Sequence, residues 1–138
     1  MPVTFKILLA EDNPGDVRLF CEALDSRALP FELTVAEDGE KAIAIVKNAS
    51  AGGTQLDLIV LDVNLPRHKG DEVLRQVRAE PSLRSVPVIV LTSSAAPADR
   101  ATATWLGADL YVRKPSDLEE LLEMAKVIEE MLKRNAAS

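Results

Sequence analysis

Apolar residues along this chain switch repeatedly between two periods. Short apolar runs fall at residues 7–10, 31–35, 58–61, 86–91 and 110–112, and a segment of helical spacing follows each. Val17, Phe20, Cys21 and Leu24 would share one helix face, as would Ala42, Ile43, Val46 and Ala49. Val73, Leu74 and Val77 make a third stripe, and Leu118, Leu121, Leu122, Ala125, Ile128 and Leu132 make the longest. The fourth helical segment, 97–106, is short, rich in Ala and Thr, and has little apolar face. Five strands alternating with five helices predict an α/β domain of parallel βαβ units.

Residues at the element ends agree with this reading. Asn13 precedes Pro14 as a capping side chain before proline at the first helical position. Ser116-Asp117-Leu118-Glu119 has the spacing of a capping box and opens the last helix. Pro81 ends the third helix, Gly107 follows the fourth, and 48–54 reads as a surface loop. Strand composition orders the sheet. Runs one, three and four are apolar throughout, as strands covered on both faces require. Run two alternates Phe31, Leu33 and Val35 with Glu32 and Thr34; run five alternates Leu110 and Val112 with Asp109, Tyr111 and Arg113. Those two belong at the edges, and right-handed crossovers then give the doubly wound order 2-1-3-4-5.

Composition narrows the class. The 138 residues suit one domain, 1–138 with a core over about 5–132, and show no repeat, linker or trailing output domain. The charge of −6, from 16 basic and 22 acidic residues, disfavours nucleic acid and anionic lipid. A single cysteine, Cys21, excludes an internal disulfide and multi-cysteine zinc sites, and its place on an apolar face suggests a core position. No apolar run approaches the ~18 residues that span a membrane, and the N-terminus lacks signal-peptide anatomy, so a cytoplasmic protein is expected.

In the order 2-1-3-4-5, strands one and three are neighbours at the switch point, where such sheets bind ligands. The first strand ends in Glu11-Asp12, the third in Asp62, the fourth in Thr92-Ser93, and the fifth runs into Lys114-Pro115. Unit charges about 4 Å apart repel by ~4 kcal/mol at an effective dielectric of 20, so three carboxylates require a cation or shifted pKa values. An all-oxygen cluster suits Mg²⁺ and the neutralisation of a phosphoryl group in transfer.

Over its whole length the chain resembles the response-regulator receiver domains of two-component signalling, a flavodoxin-like (βα)5 fold. The likeness rests on Ile7-Leu8-Leu9-Ala10-Glu11-Asp12-Asn13, Leu61-Asp62-Val63-Asn64-Leu65-Pro66 with Gly70, Val90-Leu91-Thr92-Ser93, and Gly107-Ala108-Asp109 through Lys114-Pro115. The resemblance implies that Asp62 accepts a phosphoryl group from a sensor histidine kinase or phosphotransfer protein. It implies Mg²⁺, with Mn²⁺ able to substitute, on Glu11, Asp12, Asp62 and the Asn64 backbone carbonyl. Thr92 and Lys114 would meet the phosphoryl oxygens, Tyr111 would be the switch, and Lys114-Pro115 would be cis. Enzymatic activity would be limited to self-phosphorylation from a donor and slow autodephosphorylation. Glu11 stands where many members have aspartate, so its metal contact would run directly or through water. Asn13-Pro14-Gly15-Asp16-Val17 and Asp117-Leu118-Glu119-Glu120-Leu121-Leu122 resemble stand-alone regulators paired with bacterial phytochrome kinases. Output would run through the face of helix four, strand five and helix five, to a partner protein or in a homodimer.

Plainer readings exist for several positions. Asp62 alone would serve as a cap or surface charge, Glu11-Asp12 as a favourable helix start, Thr92 as a cap, and Tyr111 as cover for a sheet edge. His68 reads as a solvated loop residue, and Trp105 as a core anchor or an exposed contact. Among rival functions, an aspartate-nucleophile phosphatase of the haloacid-dehalogenase type needs a second aspartate two residues on, where this chain has Asn64. A flavodoxin-like FMN binder needs a loop rich in N–H donors after strand one, where this chain has Glu11-Asp12-Asn13-Pro14. A degenerate receiver acting only as an interaction module is the remaining alternative.

Overall fold

A computed structural model of the chain describes residues 4–53, 55–63, 65–67, 70–92 and 107–137. Strands β1 (Phe5–Ala10), β2 (Phe31–Ala36), β3 (Leu58–Asp62), β4 (Val88–Thr92) and β5 (Leu110–Arg113) form one parallel sheet. Their order is β2-β1-β3-β4-β5, as strand composition predicts. Helices α1 (Pro14–Ser26), α2 (Gly39–Ser50) and α3 (Gly70–Ala79) connect them, with a 3₁₀ turn at Pro81–Leu83, and α4 (Leu118–Ala137) follows β5. The helix expected at 97–106 lies outside the described residues, so the last expected helix is α4 here.

Strand pleating divides the core into two layers. Ile7, Leu9, Leu58, Val60, Ile89 and Leu91 point toward α1 and α4, where they meet Phe20, Leu24, Met124 and Ile128. Leu8, Ala10, Ile59, Leu61, Val88 and Val90 point the other way, onto Ala42 and Val46 of α2 and Val73, Leu74 and Val77 of α3. β3 and β4 are buried throughout, whereas β2 alternates and β5 is half-buried to exposed. The edge strands are the two whose polar residues tolerate water.

Helix termini show which side chains set the entry of each helix. Asn13 Oδ1 accepts from the backbone N–H groups of Gly15 (2.8 Å) and Asp16 (3.2 Å), fixing the start of α1 directly beyond β1. Asp38 caps α2 through Lys41 N at 2.8 Å. At α4 the cap sits one residue later than expected. Asp117 Oδ1 accepts from Glu120 N at 2.8 Å, and Glu120 Oε1 accepts in return from Ser116 N at 2.9 Å. The cap is therefore Asp117 on the Glu120 N–H, not Ser116 on that of Glu119, because the helix begins at Leu118, and the Glu120 side chain reaches back to Ser116, one residue before the cap.

Other expectations are corrected in detail. The buried stripe of α4 is Leu121, Met124, Ala125, Ile128 and Leu132, whereas Leu118 and Leu122 are 68% and 42% exposed. Leu122 stands one residue, and so about 100°, round the helix from Leu121 and faces off the sheet. Cys21 is half-buried instead of core, since Phe20, Ala23 and Leu24 take the inward face of α1. Residues 48–50, expected in a loop, continue α2 to Ser50. The Lys114–Pro115 peptide, expected cis, is trans, the isomer favoured before proline by about 0.5–1 kcal/mol.

Far from the ligand edge, Arg78 near the end of α3 binds several backbone carbonyls at once. Its Nε donates to Gly107 O at 2.7 Å, and Nη1 reaches Arg84 O at 3.2 Å and Val86 O at 3.1 Å. Nη2 meets Asp109 Oδ2 at 3.0 Å, and that oxygen also accepts from Val88 N at 2.7 Å. Gly107 has φ +100, and a Cβ there would stand 3.1 Å from Arg78 Cγ, so glycine suits both the turn and the close approach.

Candidate functional site

The carboxyl ends of β1, β3 and β4 and the residue after β5 meet in one acidic crevice. Glu11 follows β1 directly, and its N–H donates to Ala36 O of β2 at 2.9 Å, so the sheet ladder continues one residue past the strand. Glu11 and Asp62, the last residue of β3, are buried at 2% and 5% exposure, while Asp12 is exposed. Carboxylate oxygens of Glu11, Asp12 and Asp62 all lie within 4.8 Å of one another. Three acids at such separation repel strongly, and an all-oxygen donor set of this charge matches a hard divalent cation.

Lys114 enters this group from the end of β5. Its N–H donates to Thr92 O at 2.7 Å, which fixes the backbone beside the last residue of β4. Its Nζ lies 2.9 Å from Glu11 Oε1, 2.9 Å from Asp16 Oδ2 and 3.1 Å from Asp62 Oδ2. Behind these groups lies a cavity of about 30 Å³ walled by Leu9, Phe20, Leu91, Leu121 and Met124. This apolar backing weakens solvation of the charges in front of it. Burial, joined by the field of Asp62, outweighs the stabilising contacts of Lys114 and lifts the Glu11 carboxyl to about 7. Burial also works against the Lys114 ammonium, but its bonds to Glu11, Asp16 and Asp62 prevail and hold its pKa above the ordinary lysine value.

The structure thus brings together Glu11, Asp12, Asp62 and Lys114, with Thr92 buried at the end of the neighbouring strand. Tyr111 is half-buried and packs into the layer shared with α2 and α3, opposite Val90 in the ladder. Asn64, Ser93, His68 and Trp105 lie outside the described residues. One member of the cluster was not singled out from the sequence: Asp16, in the first turn of α1. Its partner Lys114 lies 98 residues away, so no local spacing joins them. The available signal was an acid four residues beyond Asp12, in the first turn of a helix that starts at the switch point.

Residues 7–126 match the response regulator receiver domain family, and the chain belongs to that family. It is 35% identical over 125 residues to the response regulator Rcp1 of Synechocystis sp. (strain ATCC 27184 / PCC 6803 / Kazusa), covering 89% of this chain and 85% of the relative. The phosphorylated cyanobacterial phytochrome response regulator RcpA is similar in structure, with a TM-score of 0.81, 36% identity and 94% of each chain covered. The Mn²⁺-bound form of Rcp1 superposes with a TM-score of 0.78 at 34% identity, over 91% of this chain and 92% of that one. Among the described residues, no helix is long and apolar enough to cross a membrane.

Proposed function

We propose that this chain is a single receiver unit that takes a phosphoryl group on Asp62 and signals through the resulting change in its surface. The observation that carries this reading is the setting of Asp62, buried at the end of β3 with Lys114 Nζ at 3.1 Å and two further carboxylates beside it. An Asp62 oxygen attacks phosphorus and forms the acyl-phosphate bond while the donor bond breaks. With a phosphohistidine donor, the P–N electron pair returns to the imidazole, which takes up a proton. Lys114 compensates charge on the transferred oxygens, and the Thr92 hydroxyl stands at the adjacent strand end to bind one of them. Glu11, Asp12 and Asp62 fit Mg²⁺ or Mn²⁺, which when bound neutralises charge on the phosphoryl group.

The donor is a sensor histidine kinase or phosphotransfer protein, and the likeness to RcpA and Rcp1 favours a phytochrome-type kinase. An apolar surface is present beside the site for such a partner. Leu19 lines the cavity with Lys114 and Pro115, and Leu118 and Leu122 stand exposed on the adjoining helix. Output runs through the face that contains β5 and α4, to a partner protein or a second copy.

The test is labelling with acetyl phosphate and Mg²⁺. Wild type gains one hydroxylamine-sensitive phosphoryl group, Asp62→Asn gains none, and EDTA blocks the reaction. Equal labelling of the Asn variant would refute the assignment.

A further inference from the structure

The four acids at this edge divide into two overlapping sets. Glu11, Asp12 and Asp62 form the group able to hold a cation. Glu11, Asp16 and Asp62 surround Lys114. Asp12 is in the first set alone and Asp16 in the second alone, although they stand only four residues apart. The ammonium donates hydrogen bonds to Asp16 Oδ2 at 2.9 Å and Asp62 Oδ2 at 3.1 Å, while Glu11 Oε1 stands 2.9 Å away as an ion pair. Two of these three oxygens belong to residues that a divalent cation would engage. Asp16 is held by other means: Asn13 Oδ1 accepts from its N–H, and α1 fixes it next to the sheet end.

We infer that Asp16 is the positioning residue that keeps Lys114 over Asp62 once a divalent cation draws the Glu11 and Asp62 carboxylates toward itself. The inference rests on the phosphoryl-acceptor reading of Asp62, and it adds to it a separate task for α1. Without Asp16, a metal-loaded site would leave Lys114 short of an anion. A side chain with so many rotamers would then leave the crevice for water. With Asp16, the ammonium stays within reach of the position a phosphoryl oxygen occupies, and the loss of freedom precedes the reaction.

The test follows the Lys114 side-chain Cε resonances by NMR while Mg²⁺ is titrated into wild type, Asp16→Asn and Asp16→Glu. In wild type those resonances stay displaced from free-lysine positions at saturating Mg²⁺. In Asp16→Asn they move to free-lysine positions as the metal binds, and Asp16→Glu restores the displacement. Single-turnover labelling from acetyl phosphate then slows about tenfold in Asp16→Asn, the loss of one charge-assisted hydrogen bond, with Mg²⁺ affinity changed far less. In a Lys114→Ala background, Asp16→Asn produces no further slowing. The inference is overturned if Asp16→Asn matches wild type throughout the titration, or if wild-type Lys114 already moves to free-lysine positions with Mg²⁺. Absence of Asp62 labelling in wild type, with the NMR difference intact, would refute the acceptor reading and leave Asp16 as the anchor of Lys114.

Discussion

Asp109 Oδ2 accepts at once from Arg78 Nη2 at 3.0 Å and from Val88 N at 2.7 Å, so one carboxylate oxygen joins α3 to the start of β4. The remaining guanidinium nitrogens bind carbonyls of the segment between α3 and β4 and of Gly107. Three chain segments are thereby held at the end of the sheet opposite the acidic crevice.

Removing this guanidinium takes a donor from the Gly107, Arg84 and Val86 carbonyls and leaves Asp109 Oδ2 with the Val88 N–H alone. Arg78→Ala should lower stability by about 2–4 kcal/mol, the range for breaking a charged hydrogen-bond network. Arg78→Lys should recover little, since one ammonium cannot present a planar fork to separated acceptors. Urea unfolding measures both. A midpoint equal to wild type in Arg78→Ala would show that the network contributes nothing net, and one in Arg78→Lys would show that a single ammonium suffices.

Lys114→Ala removes the ammonium that Glu11, Asp16 and Asp62 share. Without metal the folded state should lose about 1–3 kcal/mol, because acids brought together by folding lose their counter-charge. Mg²⁺ should bind severalfold more tightly than in wild type, since the ammonium no longer repels it, and should restore the lost stability. Calorimetric titration with Mg²⁺ checks the direction. Weaker binding than wild type would contradict repulsion between the Lys114 ammonium and the cation.

Asp12→Ala removes a cation ligand without touching Lys114. Asp12 is exposed and lies outside the group around Lys114, so in EDTA its loss should cost no stability and should add some, because one of three mutually repelling carboxylates is gone. Mg²⁺ affinity should nevertheless fall tenfold or more, since a coordinating carboxylate is lost. A large loss of metal-free stability would place Asp12 in the packing instead.

Glu120 gives a pH signature. Hydrogen bonds from the Ser116 hydroxyl and N–H, with help from Arg113, hold its carboxyl below the ordinary value of 4.5. The folded state therefore binds this proton less readily than the unfolded chain. The contribution is present above pH 4.5 and is lost as pH falls through the lower folded value. Glu120→Gln should be less stable than wild type at pH 7, and the two should converge as pH falls well below 4.5. Thermal unfolding across that range is the measurement, and a constant gap at all pH values would contradict the assignment.

Sheet order was legible because solvent marks strands differently. Glu32 and Thr34 in β2, and Arg113 in β5, would be costly in a central strand, while the unbroken apolar runs of β3 and β4 need cover on both faces. The acidic pair after β1 and Asp62 at the end of β3 were legible because β-strand ends in this topology converge. Asp16 was not, since its role depends on Lys114, which arrives from the far end of the chain. The outward turn of Leu118 and Leu122 was equally hidden. Both fit a helical apolar pattern, and only docking of α4 against α1 and the sheet decides which part of a wide stripe faces inward.

The two core layers also govern how mutations combine. Leu8 and Leu9 are covalent neighbours, yet their side chains lie in different layers with the sheet between them. Leu9 and Val60 are far apart in sequence but share a layer and face each other across the β1–β3 ladder. In double-mutant cycles, Leu8→Ala and Leu9→Ala should therefore sum almost independently, despite sharing a peptide bond. Leu9→Ala with Val60→Ala should depart from the sum by about 0.5–3 kcal/mol, because the second truncation enlarges a void the first has opened. Epistasis in this domain follows the side of the sheet rather than the distance along the chain.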